Sequence, residues 1–365
     1  MRSGLVQSKS WGSSGMDGEN WSLGRRPGRS LRLGVEEVAT PSSARVLMKQ
    51  GRRMVVIHAD GAHLAELVTG TDGFFPKLAE RALRDGIQTR AVRAHSKVAE
   101  MLQAPGLGHV HIVFGDRPNY APDVLHVAPG PVKGFWYLDE VGVGANSSIR
   151  FGQFAPERLD KDAAEWFFNG VVSWMLEHNI SPVDQPARID PPAPKARVTI
   201  FCQEIERHPF RAHYLTTEQM IRTVAEHETD RAIYVKPHPL QTKPMRRDIM
   251  ATAQDYPNVQ VTDASVHDLI AAADLVVTQN SRAGFEALMQ KKPVVTCAKS
   301  DYWQATLTAR TPEDLREAMD FGKAAMEDFP YEKYFYWHLH RHLLEVAKED
   351  FADRAWKRIV EKAFI

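Results

Sequence analysis

Cysteine is nearly absent: 365 residues contain only Cys202 and Cys297, each inside an apolar run. Two such residues exclude a disulfide framework and a thiolate metal site, and read as small core side chains in a reducing compartment. No apolar run reaches the eighteen or so residues that a membrane-spanning helix requires. The first residues also lack the hydrophobic stretch of a secretory signal, so the expected location is cytoplasmic. Lys plus Arg and Asp plus Glu both number 46, which removes the global field that would draw the chain to nucleic acid. Neither a Walker A loop nor a GxGxxG turn occurs, against an ATPase or a dehydrogenase. No acidic metal motif stands out, so neither a metal nor a cofactor is expected. Residues 1–49 lack apolar periodicity and are rich in Ser, Gly and Arg, which implies a disordered leader or upstream sequence ahead of a start at Met48.

What is present is concentrated in residues 266–302, VHDLIAAADLVVTQNSRAGFEALMQKKPVVTCAKSDY. Residues 267–272 predict a short helix, 275–278 an apolar strand, 279–281 a polar turn, 282–290 a helix and 294–297 a second strand. Short β-branched runs joined by a helix suit parallel strands covered on both faces. Ligands of such sheets lie beyond the carboxyl ends of the strands, where helix N-termini point. The turn Gln279-Asn280-Ser281 occupies that place, and its hydroxyl and amides suit a phosphate. Glu286, five residues into the helix, is placed to reach toward a sugar hydroxyl.

The same alternation runs through the chain. RMVVIHA (53–59) reads as a buried strand followed by a turn, DGAHLAELVTGTDG. Residues 74–86 give one apolar helical face with Gly86 as its C-terminal cap. Strands are predicted at 89–94, 109–114 and 124–128, a loop at 134–140, and a helix at 157–179. Five prolines in residues 181–195 predict a linker. Beyond it, strand–helix repeats resume from Arg197. The expected organisation is an α/β protein of two Rossmann-like domains, residues 50–180 and 196–310, with C-terminal helices at 311–365.

Several residues are candidates for chemistry. Lys236-Pro237-His238-Pro239 follows a strand directly, and the flanking prolines present the imidazole rigidly. Lys236 and His238 supply the neutralisation that a departing phosphate needs. Gln279, Asn280, Ser281 and Glu286 form the second constellation, although Asn and Ser also serve as ordinary helix caps. Gln203, Glu204 and Glu206 follow the strand that opens the second domain, and Glu204 is a candidate catalytic carboxylate on that spacing. Asp60, His63, Asp139 and Glu140 are rivals from the first half. Arg207, His208, Arg211 and His213 suit either a second anion or a solvated loop. His338 and His342 share a helical face, for which aromatic packing with His340 is the simpler account than a metal site.

These segments resemble a known family. Strand-KPHP followed by HDLIAAADLVVTQNSRAGFEALMQKKPVVTCAKSDYW is similar to the bacterial capsule-polysaccharide biosynthesis family, as is TGTDGFFPKLAERALRDG in the first half. The resemblance covers roughly residues 53–344. It implies a GT-B glycosyltransferase that moves Kdo (3-deoxy-manno-octulosonate) from a CMP-activated donor to a lipid-linked or saccharide acceptor. It further implies capsule-assembly partners and a peripheral position at the inner membrane face. His238 would contact the nucleotide phosphate, Ser281 and its neighbours the phosphate or sugar carboxylate, and Glu286 would lie in the donor site. Arg282, where relatives carry a small residue, adds an anion contact. A CDP-glycerol-type glycerophosphotransferase shows a similar His-Pro and S-x-x-x-E pattern, and a non-catalytic glycan-binding component of capsule assembly is the third alternative.

Overall fold

The computed structural model describes residues 35–70, 72–104, 107–207 and 212–363. They pack as two units, one drawn from Met1–Phe114 with Val346–Ile365 and the other from Gly115–Glu345. Both are α/β with predominantly parallel strands, the class expected from the alternating pattern. Among the described residues no helix is long and apolar enough to cross a membrane.

The first unit contains β1 (Glu36–Glu37), α1 (Pro41–Lys49), β2 (Met54–Ala59), α2 (Gly61–Thr69), α3 (Phe74–Arg84), β3 (Gln88–Arg93), α4 (Lys97–Leu102) and β4 (Val110–Phe114). Its strands run β1-β3-β2-β4, all parallel. β2 is buried at every position, as a strand covered on both faces must be. α3 buries Phe74, Phe75, Leu78 and Ala82 along one stripe, and Gly86, at φ 75°, follows its C-terminus. The C-terminal helix Phe351–Ala363 completes this unit, with Phe351 against Phe74 at 5.1 Å.

Two sequence expectations are corrected here. The turn expected after β2 is the helix α2, because Asp60 caps it by accepting from the His63 amide at 3.0 Å and Gly70 ends it in the left-handed region. The expected leader ends sooner than residue 49. Thr40 and Ser43 form a capping box with Pro41 at the first turn, and α1 buries Ala44 and Leu47 against Val56 and Val92. A helix of nine residues carries too few apolar positions for periodicity to reveal it. Residues 1–34 lie outside the described residues.

The second unit opens with β5 (Val124–Pro129) and β6 (Phe135–Asp139), then α5 (Lys161–Glu177). The predicted loop at 134–140 is therefore a strand. It pairs antiparallel with β5, and its Phe135, Tyr137 and Leu138 are buried. There follow β7 (Ala196–Phe201), α6 (Thr217–His227), β8 (Ile233–Lys236), α7 (Lys243–Gln254), β9 (Val259–Val261), α8 (Val266–Ala272), β10 (Ala273–Thr278), α9 (Arg282–Met289), β11 (Val294–Thr296), β12 (Leu307–Thr308), α10 (Pro312–Ala325), α11 (Tyr331–Phe335) and β13 (Leu344–Glu345). Six of these strands form one sheet in the order β12-β11-β10-β7-β8-β9, and each pairing in it is parallel.

Alternate residues of the central strands feed two cores. Val198, Ile200, Leu275 and Val277 face α6, α7 and α10, while Phe201 and Val276 join α5, α8, α9 and α11. Full burial of each large side chain contributes about 1.5–3 kcal/mol, so the strand ends are anchored from both faces. The proline-rich segment 181–195 packs within this unit. Gln185 accepts from the Val266 amide at 2.9 Å, and Asp268 pairs with Arg188. Prolines that exclude regular structure read as a linker, yet here they form a strap fixed by side-chain hydrogen bonds.

Candidate functional site

The carboxyl ends of β7, β8 and β10 bring the candidate residues of the second unit to one edge of the sheet. β7 lies between the other two. Strand ends two places apart stand roughly 9–10 Å apart, close to the span of a phosphate with a hydrogen-bond donor on either side.

Gln203, just past β7, ties the flanking loops together. Its Oε1 accepts from the Asn280 amide at 2.9 Å, and its carbonyl accepts from Gln241 Nε2 at 3.1 Å. Gln241 Oε1 in turn accepts from the His238 amide at 2.9 Å. The His-Pro loop and the polar turn are thus held by one glutamine.

His238 is half-buried, and its Nδ1 accepts from the Leu240 amide at 3.1 Å. That bond assigns the proton of the neutral ring to Nε2. Burial lowers its pKa, and Arg282 and Lys236 lower it further, so the imidazole is neutral at pH 7 and acts as a hydrogen-bond donor.

Ser281 is the N-cap of α9, its Oγ accepting from the Ala283 amide at 3.2 Å, which leaves the hydroxyl proton to donate. Its carbonyl accepts from Tyr302 Oη at 2.6 Å. That hydroxyl explains Gly284: a Cβ there would stand 2.7 Å from Tyr302 Oη and 2.9 Å from Thr278 Cγ2. Asn280 donates from Nδ2 to the Lys299 carbonyl at 2.7 Å. Arg282 is exposed and donates to the Pro129 carbonyl at 3.0 Å.

Four candidates take other positions than the spacing suggested. Lys236 is only 5% exposed and donates to the carbonyls of Asp263 and Ala264 at 2.9 and 2.7 Å, so it binds a loop rather than a ligand. Burial lowers its pKa. Gln279 is fully buried and cross-links Glu206 and the Leu215 carbonyl at 2.9 and 3.0 Å. Glu204 accepts from the Thr242 amide and hydroxyl at 2.8 and 2.7 Å, fixing the N-terminus of α7, and pairs with Arg207 at 3.3 Å. Glu286 is buried, with Oε2 accepting from Ser181 Oγ at 3.1 Å. Burial pushes its pKa up to about 8, against the Ser181 hydrogen bond and Arg282, so it is protonated at neutral pH. Spacing placed all four on the right loops and helices, but a period cannot say which way a polar side chain turns.

The rivals are accounted for as well. Asp139 accepts from Val141, Gly142, Ser147 and Ser148 and staples its own loop, whereas Glu140 is exposed. His63 Nδ1 meets Asp60 at 2.8 Å in the first unit. Arg207 is shared with Glu204 and Asp248, and His213 bridges to Ala298. His208 and Arg211 lie outside the described residues. Both cysteines are buried and free, and burial raises their pKa. His340 stacks on Tyr336 at 4.5 Å and His342 meets Trp337 at 4.6 Å, consistent with aromatic packing.

Asp301 and Tyr137 escaped the sequence reading. Asp301 follows β11 on the ligand edge, 3% exposed, and accepts from Tyr137 Oη at 2.6 Å. Burial pushes its pKa up to about 6, opposed by the Tyr137 hydrogen bond and by Arg282. The signal available was the one used for Ser281, a polar residue just beyond an apolar strand.

Residues 204–340 match the family model described as capsule polysaccharide biosynthesis protein. A search of the curated proteins gave no match. Among solved structures, the chain is similar to KpsC, beta Kdo 2,7 transferase, of Thermosulfurimonas dismutans, at 17% identity over 73% of this chain and 89% of that one, with a TM-score of 0.47. It is also similar to the UDP-GlcNAc 2-epimerase of Methanocaldococcus jannaschii, at 12% identity over 85% and 99%, with a TM-score of 0.36. A third is the wall teichoic acid polymerase TagF, at 12% identity over 88% and 94%, with a TM-score of 0.31.

Proposed function

Taking residues 204–340 as a capsule polysaccharide biosynthesis segment, we propose that the protein is a glycosyltransferase of that process. It transfers a Kdo-like sugar from a CMP-activated donor to a saccharide or lipid-linked acceptor in the cytoplasm. The observation that carries this reading is the Gln203 network, which ties the His238 loop and the Asn280–Arg282 turn together from either side of β7. Within it, His238 donates from Nε2 to the phosphate, the Ser281 hydroxyl donates from the α9 terminus, and Arg282 supplies positive charge. As the donor's glycosidic bond breaks, negative charge grows on the departing CMP, and fixed donors of this kind favour the transition state over the ground state. Gln203, Glu204, Lys236 and Gln279 position these groups.

The test is incubation with CMP-Kdo and a saccharide acceptor, reading CMP release. The expected result is turnover that falls by about 100-fold or more in His238→Ala, with the melting temperature nearly unchanged. Full activity of that variant would remove the phosphate role. Turnover of CDP-glycerol instead would identify a glycerophosphotransferase, and donor or glycan binding without turnover a non-catalytic assembly component.

A further inference from the structure

The amino-terminal edge of the first unit's sheet carries a polar cavity that the donor reading leaves unused. Its volume is about 390 Å³, and Gln50, Arg52, Gln88 and Arg90 line it. Pockets for small ligands span about 300–1,000 Å³. α1 ends at Lys49 with Gln50 as its C-cap, and Gly51, at φ 62°, turns the chain so that Arg52 follows directly. In β3, Gln88 and Arg90 stand level with Met54 and Val56 of β2, so both lie on the sheet face that α1 and α4 cover. The outer nitrogens of the Arg90 guanidinium are held, Nη1 donating to the Thr89 carbonyl at 3.1 Å and Nη2 pairing with Glu36 at 3.3 Å. Its Nε and the Gln88 Oε1 are buried and have no hydrogen-bond partner. Buried polar atoms are nearly always paired, so a donor and an acceptor left open beside one cavity point to a ligand.

We propose that this cavity binds a monosaccharide-sized, hydroxylated oxyanion, the chemistry shared by sugar acids and sugar phosphates. The inference is independent of the donor site in the second unit. Arg90 Nε donates to an anionic oxygen, a charge-assisted bond that a neutral sugar cannot supply. Gln88 Oε1 accepts from a neighbouring hydroxyl, which a bare anion lacks. Gln50 and Arg52 are exposed, so the ligand enters past them and gains a second guanidinium and a carboxamide. The C-terminal end of α1 selects in the same direction, because helix-terminal carbonyls disfavour an isolated anion and accept from hydroxyls. The Glu36 carboxylate that pairs with Arg90 has a side chain 74% exposed, so solvent screens its charge from the ligand.

The probes are D-glucuronate and glucose 6-phosphate, with glucose and inorganic phosphate for comparison, each titrated into the full chain by calorimetry at low ionic strength. At least one of the two hydroxylated anions is expected to bind, and glucose and inorganic phosphate to bind about 10-fold more weakly or not at all. Binding of glucuronate alone identifies a sugar-acid site, and of glucose 6-phosphate alone a sugar-phosphate site. Arg90→Gln is expected to lower the affinity by about 10-fold or more. Should that variant not fold, Arg52→Gln, a change at an exposed position, is expected to lower it about 3-fold. Affinity unchanged in the variant, glucose or phosphate bound as tightly as the hydroxylated anions, or no binding of either anion overturns the proposal. Loss of binding in Arg282→Gln would place the ligand at the donor site and overturn it as well, whereas CMP release from CMP-Kdo tests the donor reading separately.

Discussion

Replacing Glu286 by Gln is expected to stabilise the protein, by an amount that grows with pH. The carboxyl is 2% exposed and bonded only to Ser181, and its pKa moves from 4.5 to about 8 on folding. Between those values the native state holds a proton that the unfolded chain releases. Stability therefore falls as pH rises, by about 1.4 kcal/mol per pH unit. The contribution is intact below the unfolded value and lost by the folded one. At pH 7.5 the accumulated cost is about 3–4 kcal/mol at most, and relaxation and water penetration reduce it to about 2–3. The amide of Gln still accepts from Ser181 and carries no ionisation, so the variant escapes the slope. Urea unfolding of both proteins from pH 4 to 8.5 measures it: the two stability curves should nearly meet at pH 4, diverge from about pH 5 upward and run parallel again above about pH 8. Parallel curves throughout that range would refute the claim that Glu286 is a buried neutral acid.

Three further outcomes follow from the packing. Gly284→Ala forces its new methyl against Tyr302 Oη and Thr278 and should cost about 1–3 kcal/mol, partly recovered by Tyr302→Phe in a double-mutant cycle of thermal unfolding. Glu204→Gln should keep most turnover, because the side chain serves the α7 terminus; a loss of orders of magnitude in CMP release would reinstate it as catalytic. Removal of residues 1–47 strips Ala44 and Leu47 from their core and should lower stability by about 2–5 kcal/mol, visible as a lower melting temperature.

The central strands of the second unit, β7, β8, β10 and β11, were readable because they are buried on both faces and largely apolar, with prolines, glycines and caps marking the ends. Ser281 and His238 were readable for the same reason: they follow such strands directly. The elements that escaped were α1 and α2, too short for a period to register, and β6, whose aromatic and acidic letters mimic a loop. Side-chain direction was not legible. Lys236 and Gln279 sit at the expected edge, yet they turn toward loop carbonyls and the half-buried Glu206 carboxylate, because satisfying buried polar groups outweighs exposure of a cation or an amide to solvent. Asp301 illustrates the converse, for its buried carboxylate is held by the hydroxyl of Tyr137, 164 positions away, which no local pattern connects to it.

Gln203 gives the edge of the sheet a mechanical property beyond its individual contacts. With the amide of one loop on its side chain and the glutamine of the other on its carbonyl, neither loop shifts without straining the bond to its counterpart. A bulky replacement at residue 203 would therefore disturb Ser281 and the His238 imidazole in concert. Inhibitor fragments that engage only one of those loops would still meet the second already ordered, so linking them would add little entropic penalty.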